Sequence, residues 1–159
     1  TMSFYAEEPV VEGVTIERVD KQDDAALEGF VDTAERGFAP DNAPPLRVSY
    51  DLTMKSARGE TTDPFLARDA ATGAIVAVGG SESSDGMTTL YGAVTVKEQR
   101  GRGLQAALIR ARVRLGIARG QEVAVVMTTP GGATERNAVR LGFVMVTTRA
   151  ALVRPRGAS

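Results

Sequence analysis

The chain has 159 residues, 43% of them hydrophobic and 25% charged, with nineteen Lys and Arg against twenty Asp and Glu. That size and balance fit one domain with a buried core, and a net charge of −1 supplies no field for nucleic acid or a membrane surface. With no cysteine and no histidine, disulfides, thiolate nucleophiles and Cys-based metal sites are excluded, and the commonest general base and metal ligand is gone.

The opening, TMSFYAEEPVVEG, lacks a basic head followed by an apolar core, and no run approaches a membrane span, so a cytoplasmic location is expected. Residues 1–13 read as a loose arm broken by Pro9 and Gly13, ahead of one domain over 14–154 and a tail at 155–159. Imperfect alternation over Val14 to Val19 predicts a first strand. Asp23 or Asp24 caps a helix with Leu27, Phe30, Val31 and Ala34 on one face, which Gly37 closes. Pro40, Asn42, Pro44 and Pro45 predict a loop, and Leu46 to Ala57 a second helix. Phe65 to Asp69 and Ile75 to Glu82 then read as a hairpin around Ala71-Thr72-Gly73, and Ser83-Ser84-Asp85-Gly86 as a further turn.

Thr89 to Arg119 carries the chemistry. An apolar strand, Leu90 to Val96, runs into a turn with Gly101 and Gly103, which opens onto a long helix. Leu104, Leu108, Ala111, Leu115 and Ala118 make its buried stripe, with Arg110, Arg112, Arg114 and Arg119 falling mostly away from it. Glycines at a helix mouth bring free N–H groups close to a ligand, and the helix dipole favours an anion, with Arg100 and Arg102 adding charge. The pattern fits a phosphate-bearing ligand; an ordinary strand–turn–helix would use the same glycines. No Gly-x-x-x-x-Gly-Lys-Ser/Thr run is present, and Gly101-Arg102-Gly103 is followed by Leu104, Gln105 and Ala106, which is no dinucleotide fingerprint. Gly120 stops the helix, Val123 to Met127 reads as a buried parallel strand reached by a right-handed crossover, and Ala133 to Leu141 as a short helix stopped by Gly142. Phe143 to Val153 predicts one long or two shorter strands.

The run Arg100-Gly101-Arg102-Gly103-Leu104-Gln105 resembles the acyl-CoA pyrophosphate loop of the GCN5-related N-acetyltransferases, Arg/Gln-x-x-Gly-x-Gly/Ala. Arg100 and Gly103 match, whereas Gln105 departs from the family's Gly or Ala. Asn137 to Phe143, with an Asn in the last helix ending in Gly-Phe, adds to the resemblance, as does the element order over Val14 to Val153. The resemblance implies an α/β fold (α+β by some schemes): a mixed sheet of six to seven strands, about four helices, and a splayed parallel strand pair forming the CoA cleft.

It further implies an acyl-CoA-dependent N-acetyltransferase that uses acetyl-CoA, needs no metal, and acetylates a small-molecule or protein amine by direct attack. Nucleic acid and membrane are not expected partners, and a homodimer is left open. Backbone groups of Val94, Thr95 and Val96 would hold the pantetheine arm, and amides around Gly101, Arg102, Gly103, Leu104 and Gln105 the pyrophosphate. Arg100 and Arg102 would add charge, and Asn137 would bond the CoA arm or line the site. Plain sheet pairing, a solvated Arg102 and a structural Asn137 are the alternatives. The tyrosine that many members place in or after the last helix is missing, since Tyr5, Tyr50 and Tyr91 all lie upstream of the turn. Tyr91 and Glu82 are the nearest acid or base candidates, against core packing for Tyr91 and a solvated strand end for Glu82. That leaves a second class open: a non-catalytic acyl-CoA-binding or dimerisation domain, free-standing or part of a larger chain.

Overall fold

The computed structural model describes residues 5, 7–39 and 47–149. Among these residues five strands form one sheet in the order β1 (Val14–Arg18), β2 (Thr62–Asp69), β3 (Ile75–Ser84), β4 (Met87–Thr95) and β5 (Val123–Val126). The first four are antiparallel neighbours, and β5 runs parallel to β4. Four α-helices accompany them in full among the described residues: α1 (Asp24–Phe38), α2 (Arg47–Ala57), α3 (Leu104–Ala118) and α4 (Ala133–Arg140). Among the described residues no helix is long and apolar enough to cross a membrane.

Local chemistry sets most of these boundaries. The Asp23 carboxylate accepts the Ala26 N–H at 3.0 Å and so caps α1. The β3–β4 turn closes on Asp85 and Gly86, with φ of 49° and 79°, the left-handed pair that a two-residue hairpin demands. Several boundaries differ from expectation: β3 runs on to Ser84, β4 spans Met87–Thr95 in place of Leu90 to Val96, and two others have a side-chain or backbone reason. Gly37 does not end α1, which runs on to Phe38; it lies where a Cβ would collide with the Val94 side chain of β4, so its role is close approach. β2 begins at Thr62 and runs through the buried Pro64, which cannot donate to the ladder, although its carbonyl accepts the Val19 N–H at 2.8 Å.

Both faces of the central strands are covered. Leu66 and Val78 pack under α1 with Leu27, Phe30, Val31 and Ala34, while Phe65, Ala67 and Ala77 pack under α3 with Leu104 and Leu108. Leu90, Ile109 and Val113 build a third cluster, joined by Ala124, Val126, Leu141 and Phe143. The arm is tied down where it is described: Tyr5 donates to the Leu141 carbonyl at 2.5 Å, and Glu8 accepts from Arg114 at 2.9 Å.

Three expectations need correction. β5 runs parallel but is not buried: Val123 is 55% exposed, because β5 is the edge strand of the sheet among the described residues. The sheet has five strands among the described residues, where six to seven were expected, because 143–149 forms no strand and the rest of Phe143 to Val153 lies outside the described residues. The arginines of α3 do not all fall away from its buried side either. Arg112 is 1% exposed, the largest fully buried side chain among the described residues, because α3 is covered by the sheet on a broader face than its leucine stripe.

Candidate active site

The site begins where two strands part. β4 pairs with β5 from Met87↔Val123 to Leu90↔Val126 and no further, so Tyr91 to Thr95 have no β5 partner. On its other edge β4 stays paired with β3, but the register slips: Gly80 faces Tyr91 and Val78 faces Val94, leaving Gly92 and Ala93 opposite Gly79 alone. This is a β-bulge, with Gly92 at φ 61°. It sits at the fork and turns β4 away from β5.

Two glycines of β3 make room for that bend. A Cβ on Gly80 would sit 2.6 Å from the Tyr91 ring, and one on Gly79 would sit 2.9 Å from the Arg112 guanidinium carbon. Arg112 donates to the Gly80 carbonyl at 2.8 Å, the Tyr91 carbonyl at 3.2 Å and the Leu108 carbonyl at 2.9 Å. Burial pulls its pKa down to about 10, opposed by the charge interaction with Tyr91. A buried guanidinium therefore satisfies the carbonyls that the bulge turns inward.

Beyond Thr95 the strand passes through a 3-10 turn, Lys97–Gln99, into the glycine turn. The Val96 N–H is used by the Val76 carbonyl at 3.0 Å, and Arg100 donates to the Thr95 carbonyl at 3.4 Å. Gly101 and Gly103 have φ of 81° and 80°, and Gly103 caps α3. None of the six consecutive N–H groups from Gly101 to Ala106 makes a well-formed hydrogen bond among the described residues, although the turn at 100–101 engages the Arg102 N–H loosely. Amides so placed at a helix start are the kind of group that can hold an anion. Arg102 is not simply solvated: it donates to the Glu12 carbonyl at 3.0 Å and to the Gln99 amide oxygen, tying the turn to the chain ahead of β1. Gln105, the departure from the expected motif, accepts from the Asn137 amide at 2.5 Å and donates to the Thr134 hydroxyl at 2.8 Å. That side chain thus holds α4 against the start of α3 and brings Asn137 to the turn.

A cavity of about 250 Å³ opens between α1, α2 and β4, lined by Phe30, Glu35, Phe38, Thr53, Tyr91 and Gly92 among others. Tyr91 thus stands at the fork and on this cavity. Its phenol oxygen is buried and has no well-formed hydrogen bond among the described residues. Burial raises its pKa above the usual 10, partly offset by the neighbouring Ser56 hydroxyl. Glu82 is exposed on β3, opposite Thr89 in the closed part of the sheet, and accepts from Thr61 at 3.1 Å.

Glu35, Gly92 and Arg112 were not singled out from the sequence. Two of them left a signal. Glu35 is four residues from Val31 on the apolar stripe of α1, and Gly92 interrupts an apolar strand, a usual mark of a bulge. Arg112 left none, since an arginine in an arginine-rich helix reads as solvated. Among the described residues no three Asp or Glu side chains cluster in a way that holds a metal ion.

No family model matches this chain, and no curated protein matches it. Solved structures do. The aminoglycoside acetyltransferase AAC(6')-Iy, in complex with the bisubstrate analogue CoA-S-monomethyl-acetylneamine, superposes with a TM-score of 0.68 at 20% identity, over 90% of this chain and 98% of that one. An aminoglycoside acetyltransferase from an uncultured soil metagenomic sample, in complex with sisomicin, superposes at 0.68 with 16% identity, over 89% and 97%. Glucosamine-6-phosphate N-acetyltransferase from Arabidopsis thaliana superposes at 0.67 with 12% identity, over 89% and 99%. The likeness establishes the architecture: the chain has the fold of the GCN5-related N-acetyltransferases.

Proposed function

We propose that this chain is an N-acetyltransferase that binds acetyl-CoA along β4 and the start of α3 and passes the acetyl group to an amine. The observation that carries this reading is the succession, in one segment, of an open strand edge at Tyr91 to Thr95 and a run of amides at Gly101 to Ala106 without well-formed hydrogen bonds among the described residues. An extended pantetheine arm matches the first in length and hydrogen-bonding character, and a pyrophosphate matches the second in charge. In this reading the stretch Val94, Thr95 and Val96 runs along the arm and Thr95 faces it, since the Val96 N–H goes to the Val76 carbonyl and the Val96 carbonyl takes the Gln99 N–H. Amides of Gly101, Arg102, Gly103, Leu104 and Gln105 hold the pyrophosphate with Arg100 beside them, and Asn137, brought there by Gln105, lines the far wall.

The chemistry follows from what the chain contains. The amine lone pair attacks the thioester carbonyl carbon, forming a C–N bond and an oxyanion that an N–H of the open β4 edge stabilises. Collapse breaks the C–S bond, the thiolate takes up a proton, and the amine gives one up to a base or water. No cysteine exists to carry the acetyl group in between. Tyr91, at the fork, is the better placed acid; Glu82 lies in the closed part of the sheet.

A second reading, a domain that binds acyl-CoA without turnover, is favoured by one observation: α4, ATERNAVR, contains no tyrosine. Two measurements separate the readings. CoA added to millimolar concentration raises the melting temperature in both. Release of CoA thiol with a panel of amines occurs only in the first, and the cysteine-free chain gives a thiol reagent no background. No thermal shift counts against both.

A further inference from the structure

The cavity between α1, α2 and β4 contains a carboxylate, Glu35, that no Lys or Arg among the described residues neutralises. Glu35 is 9% exposed. Thr53 donates to one of its oxygens at 2.6 Å, and among the described residues no Lys or Arg pairs with it. The residues between α1 and α2, 40–46, contain no Lys or Arg either. A buried carboxylate among Phe30, Ala34 and Ala57 is costly unless something compensates it, and the open side of Glu35 faces the cavity. Apart from the hydroxyls of Thr53, Ser56 and Tyr91, the other side chains that line it are apolar. Phe38 and Leu52 stand at the rim, both 64% exposed, an uncommon display for large apolar side chains beside a cavity. Gly92, in the β4 bulge, lines the same space, so a molecule held there lies against the fork.

We propose that Glu35 is the recognition carboxylate of an acceptor site, and that this cavity takes a small molecule carrying an ammonium group on an apolar body. At about 250 Å³ the cavity lies below the ~300–1,000 Å³ typical of drug-sized ligands, which favours a compact amine. The carboxylate supplies the charge, Phe38 and Leu52 cover the apolar part, and Thr53 orients the carboxylate. As a statement about acceptor class it rests on the acetyl-transfer reading; as a statement about binding it stands apart from it.

The test is calorimetric titration of the full chain with benzylamine, cadaverine and benzyl alcohol, with thiol release from acetyl-CoA recorded in parallel. Benzylamine is expected to bind and benzyl alcohol, which has the same ring without the charge, to bind at least ~10-fold more weakly. Glu35→Gln keeps an oxygen for Thr53 to donate to and is expected to weaken benzylamine at least ~10-fold while the thermal shift by CoA is retained. Phe38→Ala, at an exposed position, is expected to weaken benzylamine by about fivefold and cadaverine less. Equal binding of benzylamine and benzyl alcohol, no amine binding at millimolar concentration, or unchanged amine affinity in Glu35→Gln would overturn the assignment. Amine binding that depends on Glu35 without thiol release supports this site and sinks acetyl transfer. Thiol release indifferent to Glu35→Gln does the reverse.

Discussion

Arg112, buried on α3, donates to the carbonyl of Gly80 at 2.8 Å, at the point where β3 and β4 slip register. The same nitrogen reaches the Tyr91 carbonyl. These are the two residues that face each other just before the bulge, so one guanidinium spans both strands where β4 begins to leave β5. The guanidinium is accepted only because Gly79 has no Cβ. The open edge on which the proposed chemistry depends is thus supported from beneath by a charge.

Removing that support is expected to loosen the fork. Arg112→Met leaves two buried carbonyls without a donor, at ~1–3 kcal/mol each, partly offset by no longer burying a charge. A net loss of ~2–4 kcal/mol in urea unfolding is expected, with faster amide exchange at Gly92 to Val94. Unchanged stability and exchange would show that the bulge holds itself.

Asp63 offers a contrast between buried and exposed ion pairs. Its side chain is 4% exposed and meets both guanidinium nitrogens of Arg119 at the end of α3, with Arg18 at 3.3 Å. Asp63→Asn is expected to cost ~3–5 kcal/mol, since it leaves a partly buried arginine with no counter-charge. Arg18→Ala, at a side chain 52% exposed, is expected to change stability by no more than ~1 kcal/mol. Denaturation midpoints of the two variants decide it; similar losses would contradict the ranking.

Gly103 tests the amides of the turn. At φ 80° a side chain is strained, yet a Cβ would meet nothing within 4 Å, so the penalty is in the backbone and not in crowding. Gly103→Ala and Gly103→Val are both expected to weaken CoA ~10-fold or more, because ~1–3 kcal/mol of strain shifts the turn and its N–H groups. CoA binding to Gly103→Val as tight as to the parent would reduce the turn to a connector.

Tyr91→Phe keeps the ring against Gly80 and removes a buried hydroxyl that has no well-formed hydrogen bond. Stability near neutral pH is expected to hold or rise slightly. In the parent, the raised phenol pKa means the folded state keeps a proton that the unfolded chain loses near pH 10. That contribution is full below pH 10 and lost as pH climbs through the folded value, so the variant should lose less stability on the alkaline side. If Tyr91 is the acid, turnover falls by at least ~100-fold with CoA affinity unchanged. A smaller fall assigns the proton to water or to the acceptor.

Elements set by short-range chemistry were readable from the residues alone. The apolar stripe Leu27, Phe30, Val31, Ala34 marked α1 and the run at Val123 marked β5, while Gly101 and Gly103 marked the turn, because periodicity and left-handed glycines act within a few residues. What Gln105 does was not readable. Its partners Thr134 and Asn137 are 29 and 32 residues away, and only the packing of α4 on α3 brings them within reach.

The same holds for the charges that matter most. Arg112 and Arg110 are both arginines on one helix, and no local rule tells which is enclosed by β3 and β4; the path of the sheet decides it. Glu35 sits on a legible buried stripe, yet its lack of a counter-charge depends on what α2 and β4 bring to it. Backbone propensity is local and so is written in the chain. Desolvation and pairing of a charge depend on every element that closes over it, and those exist only once the helices have docked on the sheet.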